Sequence, residues 1–139
     1  MITEDYVSFE VAKLLKDKGF DEHCFCINYP LPEGGHHSII LPNLLNNSMI
    51  PFIDKYNFCR YKEDFITIPT LQMAMKWLRE MHNIYIEITP SSKTNEFIVD
   101  SYRIDIVTKT FDTIYVSSGY DTYEEAAEAA IKYCFENLI

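Results

Sequence analysis

Glycine is scarce in this chain, and its scarcity excludes a class of ligand sites. The four glycines are Gly19, Gly34, Gly35 and Gly119, and none of them belongs to a glycine-rich loop of the kind that cradles phosphate groups. The sequence also lacks a nucleophile elbow, a pair of metal-binding histidines on one helix and a calcium-binding loop. The sequence therefore predicts no catalytic residue and no cofactor, and it favours a protein that is not an enzyme.

Basic clusters and long apolar runs are missing as well. The net charge at pH 7 is −9, and residues 1–69 hold six Lys and Arg against ten Asp and Glu, while residues 70–139 hold six against eleven. Because proteins bind phosphate backbones with clustered Lys and Arg, this balance argues against nucleic acid as a partner. We find no signal peptide and no membrane span in the sequence, so we expect a cytoplasmic protein that binds no membrane.

Cysteine is limited to Cys24, Cys26, Cys59 and Cys134, which we expect to be free thiols in a reducing cytosol. Cys24 and Cys26 point to the same face if they lie on a strand. With Cys59 and His23 they are the candidate metal ligands, although their spacing differs from the two-residue gap of common zinc sites. The alternative is that these thiols are buried as small apolar side chains, which is frequent for free cysteine.

The first half of the chain, residues 1–69, predicts an N-terminal helix, a strand pair and a long loop. Ser8 is the expected N-cap of a helix that ends near Lys18, where Gly19 and Phe20 fit a Schellman end. Strands are expected at residues 23–29 and 52–61, and a short extended piece at residues 65–68. The segment between the two strands, residues 30–51, contains four prolines and a Gly-Gly pair, which is typical of a loop.

The second half, residues 70–139, predicts the order α-β-β-β-α. One helix is expected from Thr70 to His82, with Met81 as the last residue of its buried stripe. Another is expected from Thr122 to Asn137, where Thr122 and Glu125 form a capping box. Apolar residues alternate with mostly polar ones in the three strands between the helices, which indicates an antiparallel sheet covered by helices on one face. The apolar members are Ile84, Ile86, Ile88, Tyr102, Ile104, Ile106, Ile114 and Val116. We expect a single α+β domain over residues 1–139.

The α-β-β-β-α order and the alanine-rich last helix resemble the double-stranded RNA-binding domain. That family carries basic residues at the start of its last helix, where they hold phosphates. This sequence has Asp121, Glu124, Glu125 and Glu128 in that place, and carboxylates repel a phosphate backbone. The resemblance therefore implies a shared topology and no RNA-binding function.

Three longer strings resemble a set of small uncharacterised proteins from gut bacteria and their phages. The strings are Glu4–Ala12 (EDYVSFEVA), Pro69–Glu80 (PTLQMAMKWLRE) and Tyr123–Cys134 (YEEAAEAAIKYC). They cover the chain on both sides of the segment 30–51. The resemblance implies an association with phages or other mobile elements, and no known activity comes with it.

Three functions remain open from the sequence. The acidic charge, the aromatic content of 14% and the lack of catalytic motifs favour a non-enzymatic accessory or protein-interaction domain, with a protein partner or self-association, for instance as a homodimer. A small-ligand or metal-binding protein that uses Cys24, Cys26 and Cys59 is the second. An acidic inhibitor of a nucleic-acid enzyme, which would use the glutamates Glu124, Glu125 and Glu128, is the third.

Overall fold

The computed structural model describes residues 3–30, 34–45, 47, 66–94 and 97–139. The described residues form two antiparallel three-stranded sheets and three helices, which confirms the α+β class and the α-β-β-β-α order of the second half. The elements are α1 (Phe9–Asp17), β1 (Cys24–Pro30), β2 (His36–Leu45), β3 (Ile66–Ile68), α2 (Leu71–His82), β4 (Ile84–Ser91), β5 (Ser101–Thr108), β6 (Thr113–Tyr120) and α3 (Tyr123–Asn137). By its contacts the chain divides into an N-terminal unit, Tyr6–Pro69, and a C-terminal unit, Met1–Asp5 with Thr70–Ile139.

Helix α1 of the N-terminal unit has the ends that the sequence predicts. The Val11 amide donates to the Ser8 hydroxyl at 3.2 Å, which satisfies one of the free amides of the first turn. Gly19 has φ +91°, and the Phe20 amide donates to the Leu15 carbonyl at 2.9 Å, as in a Schellman end. The buried face of α1 packs against β3.

The prediction of a loop over residues 30–51 is wrong for eleven of them, because Pro30 ends β1 and His36–Leu45 form β2. This strand pairs antiparallel with β1, with Ile27 opposite Ile39 and Asn28 opposite Ser38. The described strands have the order β2-β1-β3, so β2 lies at the edge of the sheet that the described residues form, where a strand tolerates the proline that a central strand excludes. The predicted strand over residues 52–61 lies outside the described residues, and the extended piece near residue 66 is β3.

The side-chain amide of Asn47 forms a link in the N-terminal unit that the sequence analysis did not predict. The amide nitrogen of Asn47 donates to the Phe20 carbonyl at 3.0 Å, and its oxygen accepts from the Thr67 amide at 2.9 Å. Asn47 therefore joins β3 to the chain that leaves α1. Because it satisfies two backbone groups at once, it fixes the segment after α1 against the sheet.

Both helices of the C-terminal unit begin at the predicted threonine caps. The Met73 amide donates to the Thr70 hydroxyl at 3.2 Å, and the Glu125 amide donates to the Thr122 hydroxyl at 3.1 Å. The capping box differs in one detail, since the Glu125 carboxylate accepts from the amide of Asp121 instead of that of Thr122. Either amide precedes the first helical turn, so the carboxylate still satisfies a backbone donor there.

The core of the C-terminal unit lies between α2, α3 and one face of the sheet β4-β5-β6. Trp77 is buried and its ring stacks on that of Phe135 at 6.1 Å. Met81, expected in the buried stripe, is 62% exposed, because the buried stripe of α2 ends with Trp77 and Leu78. The described helices include none that is long and apolar enough to span a membrane.

Candidate functional site

The sheet of the C-terminal unit has an inner face under the helices and an outer face turned away from them. The ring of Tyr115 in β6 stacks on Tyr133 of α3, with 3.7 Å between the ring centroids. Ile104 and Ile106 in β5 are fully buried. Since side chains alternate along a strand, the residues next to these lie on the outer face. They are Tyr85, Glu87 and Thr89 of β4, Arg103, Asp105 and Val107 of β5, and Ile114, Val116 and Ser118 of β6.

Strand β6 has the opposite orientation to the one that the sequence predicts. The alternation in the sequence placed Ile114 and Val116 on the covered face, but they are 40% and 45% exposed. Tyr115, on the face predicted to be polar, packs under α3 instead. The pairing of β5 with β6 shifts register near Ile106, and a one-residue shift exchanges the two faces of a strand. The outer face therefore presents apolar side chains that the helices do not cover.

The turn between β5 and β6 adds a strained and exposed aromatic residue. Phe111 has φ +63°, a left-handed conformation that costs a bulky residue roughly 1–2 kcal/mol. The turn is held by its own hydrogen bonds, since the Phe111 amide donates to the Thr108 carbonyl and the Thr108 amide to the Asp112 carbonyl, both at 3.0 Å. Phe111 is nevertheless 89% exposed. Strain that presents an apolar ring to solvent is a reason to look for a function there.

These residues define a surface that we call the docking face. Tyr85 and Val107 are cross-strand partners, and Val107 is paired in turn with Thr113, next to Ile114. Tyr85 and Val107 are half-buried. The row therefore runs across all three strands at the end of the sheet where the β5–β6 turn lies. The docking face consists of Tyr85, Val107, Phe111, Ile114 and Val116.

The rest of the outer face is polar. The Arg103 guanidinium donates from two nitrogens to the two carboxylate oxygens of Asp105, both at 2.9 Å. These hydrogen bonds lower the pKa of Asp105 and raise that of Arg103. Glu87 lies directly opposite Asp105 on β4 and is exposed. The two hydrogen bonds from Arg103 to Asp105 offset the repulsion between the carboxylates of Asp105 and Glu87. Glu87 leaves an exposed negative charge in this polar part of the outer face.

A second exposed apolar segment lies at the other end of the sheet. Phe97, Ile98 and Val99 are three consecutive exposed residues in the connection between β4 and β5. Part of this connection is fixed, because the Lys93 amide donates to the Asp100 carboxylate at 2.7 Å. Ile98 and Val99 border an open cavity of about 420 Å³. Runs of exposed apolar residues are rare without a function.

The candidate metal ligands are not gathered into a site by the described residues. Cys24 and Cys26 are buried on β1, with a register shift between them, while His23 is exposed. Cys59 lies outside the described residues. Burial raises the pKa of Cys24 to about 11 and raises that of Cys26, which favours the thiol over the thiolate that metals bind. Among the described residues no group of three His, Cys, Asp or Glu side chains is placed to hold a metal ion.

The buried thiols predict a loss of stability at alkaline pH. Burial raises the pKa of Cys134 to about 12, from an ordinary value of 9.0. Between about pH 9 and pH 12 the unfolded chain therefore gives up a proton that the folded chain keeps, and the free energy of unfolding falls as the pH rises. We expect urea titrations at pH 8 and pH 10.5 to show this decrease, and Cys134→Ala to make it smaller. An unchanged decrease in the variant would contradict the assignment to Cys134.

The glutamates of the inhibitor hypothesis lie at the start of α3. Glu124 and Glu125 are exposed and Glu128 is half-buried. Glu125 is engaged in the helix cap through both its amide and its carboxylate. Carboxylates in a first helical turn have an ordinary structural role, because they face the positive end of the helix dipole. Their placement alone therefore does not distinguish an inhibitory surface from a stabilised helix start.

Sequence reasoning missed the central residue of the candidate site. Phe111 occurs in Lys109-Thr110-Phe111-Asp112, a string that predicts a turn and gives no sign of a left-handed phenylalanine. An apolar residue in the middle of a polar turn was the available signal.

Comparisons of this chain with protein-family models, with curated proteins and with solved structures find no match.

Proposed function

We propose that this chain is a non-enzymatic protein-interaction domain that binds its partner through the docking face. The observation that carries the proposal is Phe111, which adopts a costly left-handed conformation and exposes 89% of its surface beside an apolar row of the sheet. Aromatic side chains at the centre of an interface contribute much of the binding energy. In this proposal Phe111 is the anchor, and Ile114 and Val116 widen the contact.

The shape of the site favours a protein over a small ligand. Sites for small molecules are concave and enclose most of the ligand. The docking face is an open strand surface, whose side chains lie next to one another. A surface of this kind matches the apolar centre of a protein interface, surrounded by a polar rim.

Charge indicates the chemistry of the partner. Glu87 lies at the margin of the docking face, and the chain has a net charge of −9. A partner with an apolar centre and basic residues around it would be attracted and oriented by this field. An accessory protein of a phage or another mobile element, as the resemblance of the sequence implies, would then act by binding a protein of its host or of the element itself.

Phe111→Asn separates binding from folding. Asparagine tolerates the left-handed conformation better than phenylalanine, so the melting temperature should stay the same or rise. Loss of an aromatic anchor costs about 2 kcal/mol, which corresponds to more than a tenfold increase in Kd. The partner is first captured on immobilised wild-type chain from a lysate of the source cells, then purified and titrated against both proteins by calorimetry.

The matched control is Met81→Asn, which removes another exposed apolar side chain of the same unit. Met81 lies on α2 and outside the docking face, so its replacement should leave Kd unchanged. Equal affinities for wild type, Phe111→Asn and Met81→Asn would refute the docking face. Equal losses in the two variants would show nonspecific adhesion of apolar surface instead of a defined interface.

A further inference from the structure

The hairpin loop between β5 and β6 has phenylalanine at a position where glycine is usual. The Phe111 amide donates to the Thr108 carbonyl and the Thr108 amide to the Asp112 carbonyl, so residues 109–111 form the loop. Hairpin loops of this length commonly contain a β-turn followed by a left-handed residue, and glycine is preferred at that last position. In this chain Phe111 occupies the position, with φ +63°. Closure of the hairpin alone therefore does not explain the residue.

A closed set of side-chain hydrogen bonds surrounds the loop. The Asp112 amide donates to the Thr108 hydroxyl at 3.3 Å, and the Thr110 hydroxyl donates to the Asp112 carboxylate at 2.6 Å. The two hydroxyl oxygens lie 3.0 Å apart. Because a threonine hydroxyl has a single proton and that of Thr110 is given to the carboxylate, Thr108 donates to Thr110. We call this set, formed by Thr108, Thr110 and Asp112, the turn network.

The turn network opposes the conformational preference of Phe111. A bulky residue disfavours the left-handed region, so the loop needs interactions that hold it there. The network joins two residues before Phe111 to the residue directly after it, which restricts rotation of the backbone at Phe111. One of its hydrogen bonds ends on a carboxylate and is stronger than a bond between neutral groups.

We infer that Thr108, Thr110 and Asp112 are positioning residues, which hold Phe111 in the conformation that presents its ring to the partner. The role assigned to them rests on the proposed function, in which Phe111 is the anchor of the docking face. A left-handed residue at a bulge re-aims its side chain relative to the strands. A side chain that is held in its bound conformation beforehand avoids the cost of ordering. Apparent affinity falls when only a fraction of the molecules has that conformation.

The exposure of the turn allows its hydroxyl groups to be removed without disturbing the core. Thr110 and Asp112 are exposed and Thr108 is half-buried. Thr110→Val keeps the branched shape of the side chain and breaks two of the three hydrogen bonds of the turn network. Because Thr110 lies at the surface, the melting temperature should change little.

Two further variants serve as controls for Thr110→Val. Thr110→Ser keeps the hydroxyl and should behave as wild type. Thr89→Val makes the same chemical change at an exposed residue of β4, outside the turn network and the docking face, and should also behave as wild type.

The conformation of Phe111 is measured on the free chain by nuclear magnetic resonance. The Overhauser effect between the amide and α protons of one residue is strong when φ is positive, so it reports the left-handed conformation directly. In Thr110→Val this effect should weaken at Phe111, and the Phe111 amide should exchange hydrogen about threefold to tenfold faster. An unchanged Overhauser effect would overturn the inference, and a lower melting temperature with Phe111 still left-handed would show a structural role alone.

A double-mutant cycle measures the consequence for binding. The probe is the partner protein purified on immobilised wild-type chain, as for Phe111→Asn. Thr110→Val should raise Kd about threefold to tenfold. In a chain that already carries Phe111→Asn, Thr110→Val should have no further effect, because the aromatic ring that the turn network positions is gone. Equal losses in the two backgrounds would mean that Thr110 contacts the partner itself, which overturns the positioning role.

Failure of the positioning role is distinguishable from failure of the proposed function, because the conformational measurement needs no partner. A left-handed Phe111 in Thr110→Val would overturn the positioning role even if Phe111→Asn weakens binding. A changed conformation in Thr110→Val, together with equal affinities of wild type and Phe111→Asn, would instead overturn the docking face.

Discussion

Leu78→Ala is expected to lower the free energy of unfolding of the C-terminal unit by about 2–5 kcal/mol. Leu78 lies on α2 and has an exposed fraction of 0%, in the layer where α2 meets β4 and α3. Truncation removes favourable burial and leaves a cavity that close-packed neighbours fill only in part. Because the free energy of unfolding of a domain of this size is only about 5–15 kcal/mol, this one substitution removes a large share of that stability.

Urea titration monitored by circular dichroism measures the effect of Leu78→Ala. The control is Met81→Ala on the same helix, since the exposed Met81 side chain should contribute less than about 0.5 kcal/mol. Similar losses in the two variants would mean that α2 is not anchored through Leu78. Leu78→Ala should also weaken partner binding, because it lowers the fraction of folded protein. Phe111→Asn should weaken binding while the protein stays folded. Comparing the two variants therefore distinguishes loss of folded protein from loss of a binding contact.

Local signals explain why the helices were predictable from the sequence. Ser8, Thr70 and Thr122 each precede an apolar periodic run, and in the structure each side chain accepts a hydrogen bond from an amide three residues later. A cap needs only the residues of one helical turn, so neighbouring residues determine it. The α-β-β-β-α order follows from the same kind of signal, together with the alternating strands between the helices.

The strands that were mispredicted depend on partners distant in sequence. β2 contains Pro42 in a sequence that resembles a loop, and its place at the edge of the described sheet, which makes the proline tolerable, follows only from its pairing with β1. The faces of β6 depend on the register shift near Ile106, which a local pattern does not reveal. Non-local pairing therefore determined both outcomes, and propensity alone could not supply them.

The docking face was hidden from the sequence for the same reason. Ile114 and Val116 alternate as core residues do, and only the register of β6 places them outside. The left-handed conformation of Phe111 is imposed by hydrogen bonds of its turn against the preference of the residue. A site defined by strain and register carries no motif, whereas the prediction of metal ligands rested on residue types alone and stays a prediction for Cys59.

Ala130→Leu is expected to destabilise the C-terminal unit by roughly 1–3 kcal/mol or more, because it adds volume where no space exists. Ala126, Ala127 and Ala130 are fully buried on α3, and such small side chains let the helix approach the sheet closely. A leucine at position 130 would push α3 away from β5. The stack of Tyr133 on Tyr115, now 3.7 Å between centroids, would then open.

The neighbouring alanine provides the control, since Ala129 on the same helix is half-buried. Ala129→Leu makes the same change in helix propensity with room for the side chain, so it should alter stability by less than about 1 kcal/mol. Near-ultraviolet circular dichroism of the tyrosines reports the stack, and its signal should fall in Ala130→Leu alone. If α3 fixes Tyr115 inward and thereby keeps Ile114 and Val116 outward, the same variant should also lose partner binding at temperatures where it remains folded. Retained binding with a lost tyrosine signal would show that β6 keeps its orientation through its pairing with β5, without help from α3.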